Sequence, residues 1–141
     1  MNAASTTVPA VVIVDDEADH ALIVEYVFAE AAPDLSVESI ASPAEAARHI
    51  VDAPRGALIL VDRLFGGADS IPALGEMRAL RSDLRIVLLS AALSDEDRDA
   101  ALSNGAERAE EKPRSLQGWR DLVEALLYGD GADTRRSESA P

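Results

Sequence analysis

The feature that most constrains this chain is the regular alternation of short apolar runs with segments of helical spacing. Residues 10–14, 57–61 and 85–89 are rich in valine, isoleucine and leucine, which is typical of strands that are buried on both faces. Residues 35–40 alternate apolar and polar side chains and predict a further strand. Residues 106–112 predict a weak, polar fifth strand.

A helical segment follows each of these five predicted strands. Apolar side chains recur at helical spacing within residues 23–31, 71–80 and 119–127, while Ser42 and Ser94 are predicted to cap the other two helices. Strands that alternate with helices indicate an α/β fold with parallel strands. We therefore predict a doubly wound five-stranded parallel sheet, in the flavodoxin-like order 2-1-3-4-5, with helices on both faces.

The length of 141 residues fits one domain, because domains usually contain roughly 100–200 residues. We predict that residues 10–128 form this domain. Residues 1–9 and 129–141 are predicted to be flexible N-terminal and C-terminal tails, since neither segment has an apolar pattern that could offset the entropy of ordering. No output domain is expected, because few residues follow residue 128.

Charge and residue usage exclude several classes of function. The chain has 26 acidic and 13 basic residues, giving a net charge of −13, which disfavours binding to nucleic acid or to a membrane surface. It has no cysteine, so disulfides, thiolate zinc sites and thiol nucleophiles are excluded. Residues 1–9 lack the basic and apolar regions of a signal peptide, and no apolar run approaches the ~20 residues of a membrane span. A cytoplasmic protein is the expectation.

Polar residues stand at the carboxyl ends of four predicted strands. Asp15 and Asp16 follow the first strand, Asp62 the third and Ser90 the fourth, and Lys112 closes the fifth. In a doubly wound sheet these ends form the ligand-binding edge. Carboxylates that converge there repel one another unless a cation joins them, and Mg²⁺ takes oxygen ligands. A carboxylate nucleophile, a metal ion, a lysine and a hydroxyl together favour phosphoryl transfer.

With these residues in this order, the chain resembles the response-regulator receiver domains of two-component signalling over about residues 10–128. The resemblance implies that Asp62 accepts a phosphoryl group, that Ser90 donates a hydrogen bond to this group and that Lys112 pairs with it. It also implies a phosphoryl donor, either a histidine kinase or a histidine phosphotransfer protein, and an unidentified downstream protein. A homodimer is a further alternative. Such a domain signals by protein contact and is not a turnover enzyme.

The same resemblance implies a Mg²⁺ site. Asp16, Asp62 and the backbone carbonyl of Leu64 would ligate the ion directly, while Asp15 would act through a water molecule.

The chain departs from the pattern of this family at two places. Gly66 stands where proline is usual, which predicts a more mobile loop after Asp62. Ala109 stands where an aromatic residue is usual, so the common switch that couples a hydroxyl residue to an aromatic ring is not expected here. Glu110 and Glu111 follow it, and the glutamate beside the lysine is expected to compete for its charge.

Two other readings stay open at this point. A pseudo-receiver that keeps the fold but is not phosphorylated would act as a protein-binding adaptor, and the polar fifth strand favours it. An aspartyl-nucleophile phosphatase is disfavoured, because that class needs an Asp-x-Asp motif after the first strand and this chain has adjacent Asp15 and Asp16.

The expected partner surface is the face of the fourth helix, fifth strand and fifth helix, made acidic by Glu107 and its neighbours. His20 and His49 are expected to be structural or exposed.

Overall fold

The computed structural model describes residues 8–129. Its strands are β1 (Ala10–Val14), β2 (Ser36–Ile40), β3 (Leu58–Asp62), β4 (Leu64–Phe65), β5 (Ala68–Asp69), β6 (Arg85–Ser90) and β7 (Arg108–Glu111). Its helices are α1 (Ala18–Ala31), α2 (Pro43–Asp52), α3 (Ile71–Leu80), α4 (Asp95–Ser103) and α5 (Leu116–Tyr128). Five strands form a parallel sheet in the order β2-β1-β3-β6-β7. The predicted flavodoxin-like order is confirmed, with β6 and β7 as the fourth and fifth strands of the sheet.

The core lies on both faces of the sheet, because successive residues of a strand point to opposite sides. On one face Ile59 of β3 belongs to a buried cluster that includes Leu74 of α3. On the other face Leu60 belongs to a second cluster with Phe28 of α1 and Trp119 of α5. β1 and β3 are buried along their whole length, as their unbroken apolar composition predicts.

The two edge strands are less buried than the central ones. Among the strands of residues 8–129, β7 pairs only with β6, so its outer side tolerates charged residues without the cost of burying them. Within β7 only Ala109 is buried, at 2% exposure. The polar character predicted for the fifth strand is therefore a consequence of its place at the edge of the sheet.

The helix starts agree with the sequence in part. Ser94 caps α4, and its side chain and that of Asp97 form a reciprocal capping box. The prediction for Ser42 is wrong, because its side chain makes no capping hydrogen bond within the described part of the chain. Pro43 in the first turn of α2 has no N–H to be capped, which reduces the number of donors that need a partner.

One residue of the predicted N-terminal tail is buried. Val8, in the segment predicted as tail, is buried at 3% exposure in the cluster beneath α1 and α5. Residues 1–7 and 130–141 of the two predicted tails lie outside the described residues. Within residues 8–129, no helix combines the length and apolar character needed to cross a bilayer.

Candidate functional site

Three aspartates meet at the carboxyl edge of the sheet. Val14 of β1 and Val61 of β3 are paired in register, so the residues that follow this pair, Asp15 and Asp62, lie side by side. One carboxylate oxygen from each of Asp15, Asp16 and Asp62 lies within 4.8 Å of the others. Asp15 and Asp62 are buried and Asp16 is exposed. The convergence predicted for the strand ends is present in the structure.

Lys112 is the only lysine of the chain, and it reaches into this cluster from the end of β7. Its Nζ lies 3.2 Å from Asp62 Oδ1, 3.6 Å from Asp15 Oδ2 and 3.7 Å from Glu17 Oε1. The Lys112 side chain is 9% exposed. A compact ammonium group with three donors fits a small acidic pocket, and here it neutralises part of the charge of the carboxylates.

The electrostatic environment of Asp62 differs from that of a surface carboxylate. Burial raises its pKa, and the neighbouring Asp15 charge raises it further. The Lys112 ammonium and the Leu64 backbone N–H act in the opposite direction, because both donate to the charged form of Asp62. Asp62 is thus a partly desolvated carboxylate whose charged form is stabilised by Lys112 and by the Leu64 N–H.

The segment after Asp62, which the sequence predicts to be a more mobile loop, forms a hairpin of β4 and β5. Its two-residue turn is Gly66-Gly67, with φ of 63° and 80°, backbone angles that glycine adopts without strain. The Gly66 N–H donates to Asp16 Oδ2 over 3.0 Å. Proline has no N–H and cannot reach a positive φ, so glycine at this position lets the hairpin hold the exposed member of the acidic cluster.

The hairpin also sets the direction of the Leu64 backbone. Leu64 pairs with Asp69, and at the adjacent pair Ser70 N–H donates to the Arg63 carbonyl over 2.7 Å. Hydrogen-bonded pairs alternate in an antiparallel ladder with pairs whose backbone groups point outwards. The N–H and the carbonyl of Leu64 therefore both point away from β5, and the N–H donates to the Asp62 carboxylate. Its carbonyl lies on this same side, which fits the predicted ligand role.

We expect Gly66→Ala to destabilise the protein more than Gly67→Ala. Both residues have positive φ, which costs an L-residue about 1–2 kcal/mol. A Cβ at Gly66 would also lie 2.5 Å from Pro43 Cγ, whereas at Gly67 it would meet no described atom within 4 Å. Urea unfolding of the two variants measures the difference. Equal free energies of unfolding would show that the contact with Pro43 is relieved without cost.

Ser90 ends β6 at the same edge and is buried. Its Oγ donates to the Ala92 carbonyl over 2.7 Å, so its hydrogen is directed into the loop before α4. An open cleft of about 580 Å³ is lined by Ser90, Ala92, Asp62 and Lys112 together with hairpin residues. This volume accommodates a phosphoryl group and a hydrated metal ion.

His20 of α1 and Glu17, the N-cap residue of this helix, enter the site although the sequence prediction placed neither there. His20 Nδ1 lies 3.1 Å from Lys112 Nζ and 3.0 Å from Glu17 Oε1. The signal was available in the sequence, since the first turn of a helix that follows β1 stands above the carboxyl edge of the sheet. His49 lies far along the chain on α2 and contacts Glu38, as a structural histidine does.

Arg63 is a third residue that the sequence did not indicate. It directly follows Asp62, and its guanidinium contacts Asp97 Oδ2 at 2.6 Å and Asp69 Oδ2 at 3.3 Å. Asp97 belongs to the capping box of α4, and Asp69 belongs to β5. Arg63 thereby connects the hairpin beside the site to the start of α4.

The glutamates of β7 have partners other than the lysine. Glu110 pairs with Arg108 at 2.9 Å, and Glu111 accepts a hydrogen bond from the Leu93 backbone at 3.1 Å. Glu107, just before β7, pairs with Arg85, and the hydrogen bond from Arg85 lowers the pKa of Glu107. These ion pairs neutralise part of the acidic surface that the sequence predicts on this face.

The cluster fits a divalent cation by its chemistry. All of its candidate ligands are oxygen atoms, from three carboxylates and the Leu64 carbonyl, and hard cations such as Mg²⁺ prefer such ligands. The groups already bonded to these aspartates are N–H donors and an ammonium, which leaves carboxylate lone pairs for an ion.

The chain is similar to a known protein family and to several solved structures. Residues 11–124 match the family model described as the response regulator receiver domain. Among solved structures, a CheY-like receiver protein from Methanospirillum hungatei JF-1 is 19% identical, with a TM-score of 0.71 over 94% of this chain and 99% of the other. A response regulator from Burkholderia pseudomallei, solved with a phosphorylated aspartic acid, calcium and citrate, is 19% identical, with a TM-score of 0.72 over 94% of this chain and 75% of the other.

A third similar structure is the beryllofluoride-activated NtrC4 receiver domain, solved in solution as a dimer. It is 18% identical, with a TM-score of 0.71 over 84% of this chain and 96% of the other. Comparison with curated proteins gives no significant match.

Proposed function

The chain belongs to the response-regulator receiver domain family of two-component signalling, and on this premise we propose that Asp62 accepts a phosphoryl group in a Mg²⁺-dependent reaction. The observation that carries the proposal is the position of the only lysine, whose Nζ lies 3.2 Å from the Asp62 carboxylate. A buried carboxylate with a fixed cation beside it and two further aspartates around it is suited to phosphoryl transfer.

The proposed step is an in-line displacement at phosphorus. An Asp62 carboxylate oxygen forms the new O–P bond, while the P–N bond to the donor histidine breaks. The electron pair of that bond returns to the imidazole, which takes a proton as it leaves. Lys112 stays beside Asp62 and pairs with the charge that develops on the phosphoryl oxygens. Ser90 would turn its hydroxyl from the Ala92 carbonyl towards one of these oxygens.

We propose that Asp16, Asp62 and the Leu64 carbonyl hold Mg²⁺, and that Asp15 acts through a water molecule. When bound, Mg²⁺ supplies positive charge that neutralises the phosphoryl oxygens. The residues of this chain contribute the rest: the Gly66 N–H orients Asp16, and the Glu17 N–H fixes Asp15 through a 2.8 Å hydrogen bond.

Phosphorylation by a small donor tests the proposal. Incubation with acetyl phosphate and Mg²⁺ should add one phosphoryl mass to the intact protein, and chelation of Mg²⁺ should prevent it. Acetate would be the leaving group in place of imidazole. The alternative is an adaptor that binds protein without phosphorylation, and the polar fifth strand, with alanine at position 109, is the feature that favours it. An unchanged mass in the presence of Mg²⁺ would favour the adaptor.

Asp16→Ala should remove the response to Mg²⁺. A ligand that binds only the folded state raises the melting temperature, so millimolar Mg²⁺ should stabilise the wild type. The variant should stay folded, because Asp16 is exposed. Asp19→Ala, an exposed acid in the first turn of α1, is the matched control and should respond as the wild type does. Mg²⁺ stabilisation that persists in Asp16→Ala would refute the ligand role.

We expect the phosphorylated protein to lose its label slowly. Hydrolysis needs a water molecule in line with the Asp62–phosphorus bond, and the side chains at Leu64 and Ala92 flank this path in the family. Neither side chain has a hydrogen-bonding group that could position the water. Leu64→Asn and Ala92→Glu should therefore lose the label about tenfold faster, as followed by intact mass. Equal rates in the three proteins would contradict this view.

Receiver domains interact with kinases and phosphotransfer proteins and can dimerise. We propose a histidine kinase or histidine phosphotransfer protein as the donor for this chain, and an unidentified protein as the downstream partner. The face of α4, β7 and α5 stays the proposed contact surface. Three further points stay predictions: signalling without an attached output domain, homodimer formation and a cytoplasmic location. Purification of the intact protein can test the first two, and cell fractionation can test the third.

A further inference from the structure

The imidazole of His20 contacts the ammonium group of Lys112. Its Nδ1 lies 3.1 Å from Lys112 Nζ, which is as short as the 3.2 Å contact from Nζ to Asp62. The His20 side chain is 38% exposed, whereas that of Lys112 is 9% exposed. His20 thus stands between solvent and a nearly buried ammonium group.

If this contact is a hydrogen bond, it has one arrangement of hydrogens. An ammonium group has three hydrogens to donate and no lone pair to accept with. His20 Nδ1 must therefore be the acceptor, which places the ring hydrogen on Nε2. Glu17 Oε1 lies 3.0 Å from the same Nδ1, and a hydrogen bond there would need the ring hydrogen on Nδ1, so Glu17 and Lys112 are alternative hydrogen-bond partners of this nitrogen.

The ammonium has more neighbours than hydrogens. Asp62, Asp15, Glu17 and His20 all lie within 3.7 Å of Nζ. A phosphoryl group on Asp62 would draw Nζ towards its oxygens, and the carboxylate contacts would then change. The contact with a neutral imidazole on α1 carries no competing charge and can persist through this change.

We propose that His20 is a positioning residue that accepts a hydrogen bond from Lys112 and holds its ammonium group beside the phosphoryl-accepting carboxylate. This inference rests on the proposed function of Asp62. In this proposal α1 contributes to the reaction as well as to packing, because His20 in its first turn orients Lys112, which follows β7. His20 acts through Lys112 and does not itself contact the reacting atoms.

The test uses the fact that the chain contains a single lysine. Protein labelled with ¹⁵N-lysine gives one Nζ resonance, which reports directly on the environment of Lys112. His20→Leu keeps bulk but has no acceptor, whereas His20→Asn keeps a hydrogen-bonding group near the position of Nδ1. His49→Leu is the matched control, because His49 also contacts a glutamate but lies on α2.

We expect His20→Leu to shift the Lys112 resonance and to slow phosphorylation by acetyl phosphate about tenfold. His20→Asn should restore most of both properties, and His49→Leu should change neither. Equal resonances and rates in wild type and His20→Leu would overturn the proposal, as would equal defects in the Leu and Asn variants. A wild type that takes no phosphoryl group would refute the proposed function, while the resonance would still test the contact.

Discussion

Asp62→Asn should take up no phosphoryl group from acetyl phosphate, whereas the wild type takes up one. Asparagine keeps the size of the side chain but replaces the nucleophilic carboxylate with an amide. Its amide oxygen can still accept the hydrogen bonds that Leu64 N–H and Lys112 give to Asp62, so the fold should survive. Intact mass after incubation with acetyl phosphate and Mg²⁺ measures the difference.

Asp69→Asn is the control for this comparison, because Asp69 lines the same cleft but lies on the hairpin. It should be labelled as the wild type is. Labelling of Asp62→Asn to the same extent as the wild type would place the acceptor elsewhere in the cluster and would remove the basis of the proposed step.

Lys112→Met should slow phosphorylation by about 10²-fold or more. Loss of one preorganised group that stabilises transition-state charge typically costs about 10²–10³ in rate, and this ammonium contacts Asp62 directly. Methionine keeps the length and apolar stem of the side chain. The variant should also bind Mg²⁺ more tightly, because a positive charge beside the carboxylates has been removed. Rates of label uptake and a Mg²⁺ titration measure the two effects.

Arg114→Met is the matched control for charge. Arg114 is exposed and stands two residues after Lys112, so its loss changes the net charge equally without removing a contact to Asp62. It should phosphorylate at close to the wild-type rate. If both variants slow the reaction to the same extent, Lys112 acts through long-range charge and its position beside Asp62 has no special role.

The sheet could be predicted because its central strands are continuous apolar runs. β1 and β3 are buried on both faces, and only the interior of an α/β fold offers such an environment to successive residues. The position of the site could then be predicted from the topology alone. The carboxyl ends of parallel strands lie at the same edge of a sheet, so Asp15, Asp62 and Lys112 are expected at one edge.

The hairpin after Asp62 was beyond prediction for a physical reason. β4 and β5 contain two residues each, too few to show a periodic pattern, and the Gly66-Gly67 pair predicts either a turn or a mobile loop. Its bond to Asp16 is between residues 50 positions apart. Such a contact depends on the packing of the whole domain and leaves no local trace in the sequence.

The place of His20 in the first turn of α1 indicates that it lies near the carboxyl edge of the sheet, but its side-chain partner on another element is not visible in the sequence. Lys112 is 92 positions away from His20, and single histidines on helices are usually surface residues. The same limit applies to the glutamates of β7. Their adjacency to Lys112 suggests that they compete for its charge, but neighbouring residues along a strand point to opposite faces. Arg108 and the Leu93 backbone, supplied by the surroundings of the strand, are the partners instead.

The most direct measurement of the central claim locates the phosphoryl group on the wild-type chain. Borohydride reduces an acyl phosphate to an alcohol, so a phosphorylated aspartate becomes homoserine and phosphate is released. The protein would be treated with acetyl phosphate and Mg²⁺, reduced and digested, and its peptides sequenced by mass spectrometry. We predict homoserine at position 62 and unchanged aspartate at positions 15 and 16. Homoserine at either of those positions, or none in the chain, would contradict the assignment of Asp62 as the phosphoryl acceptor.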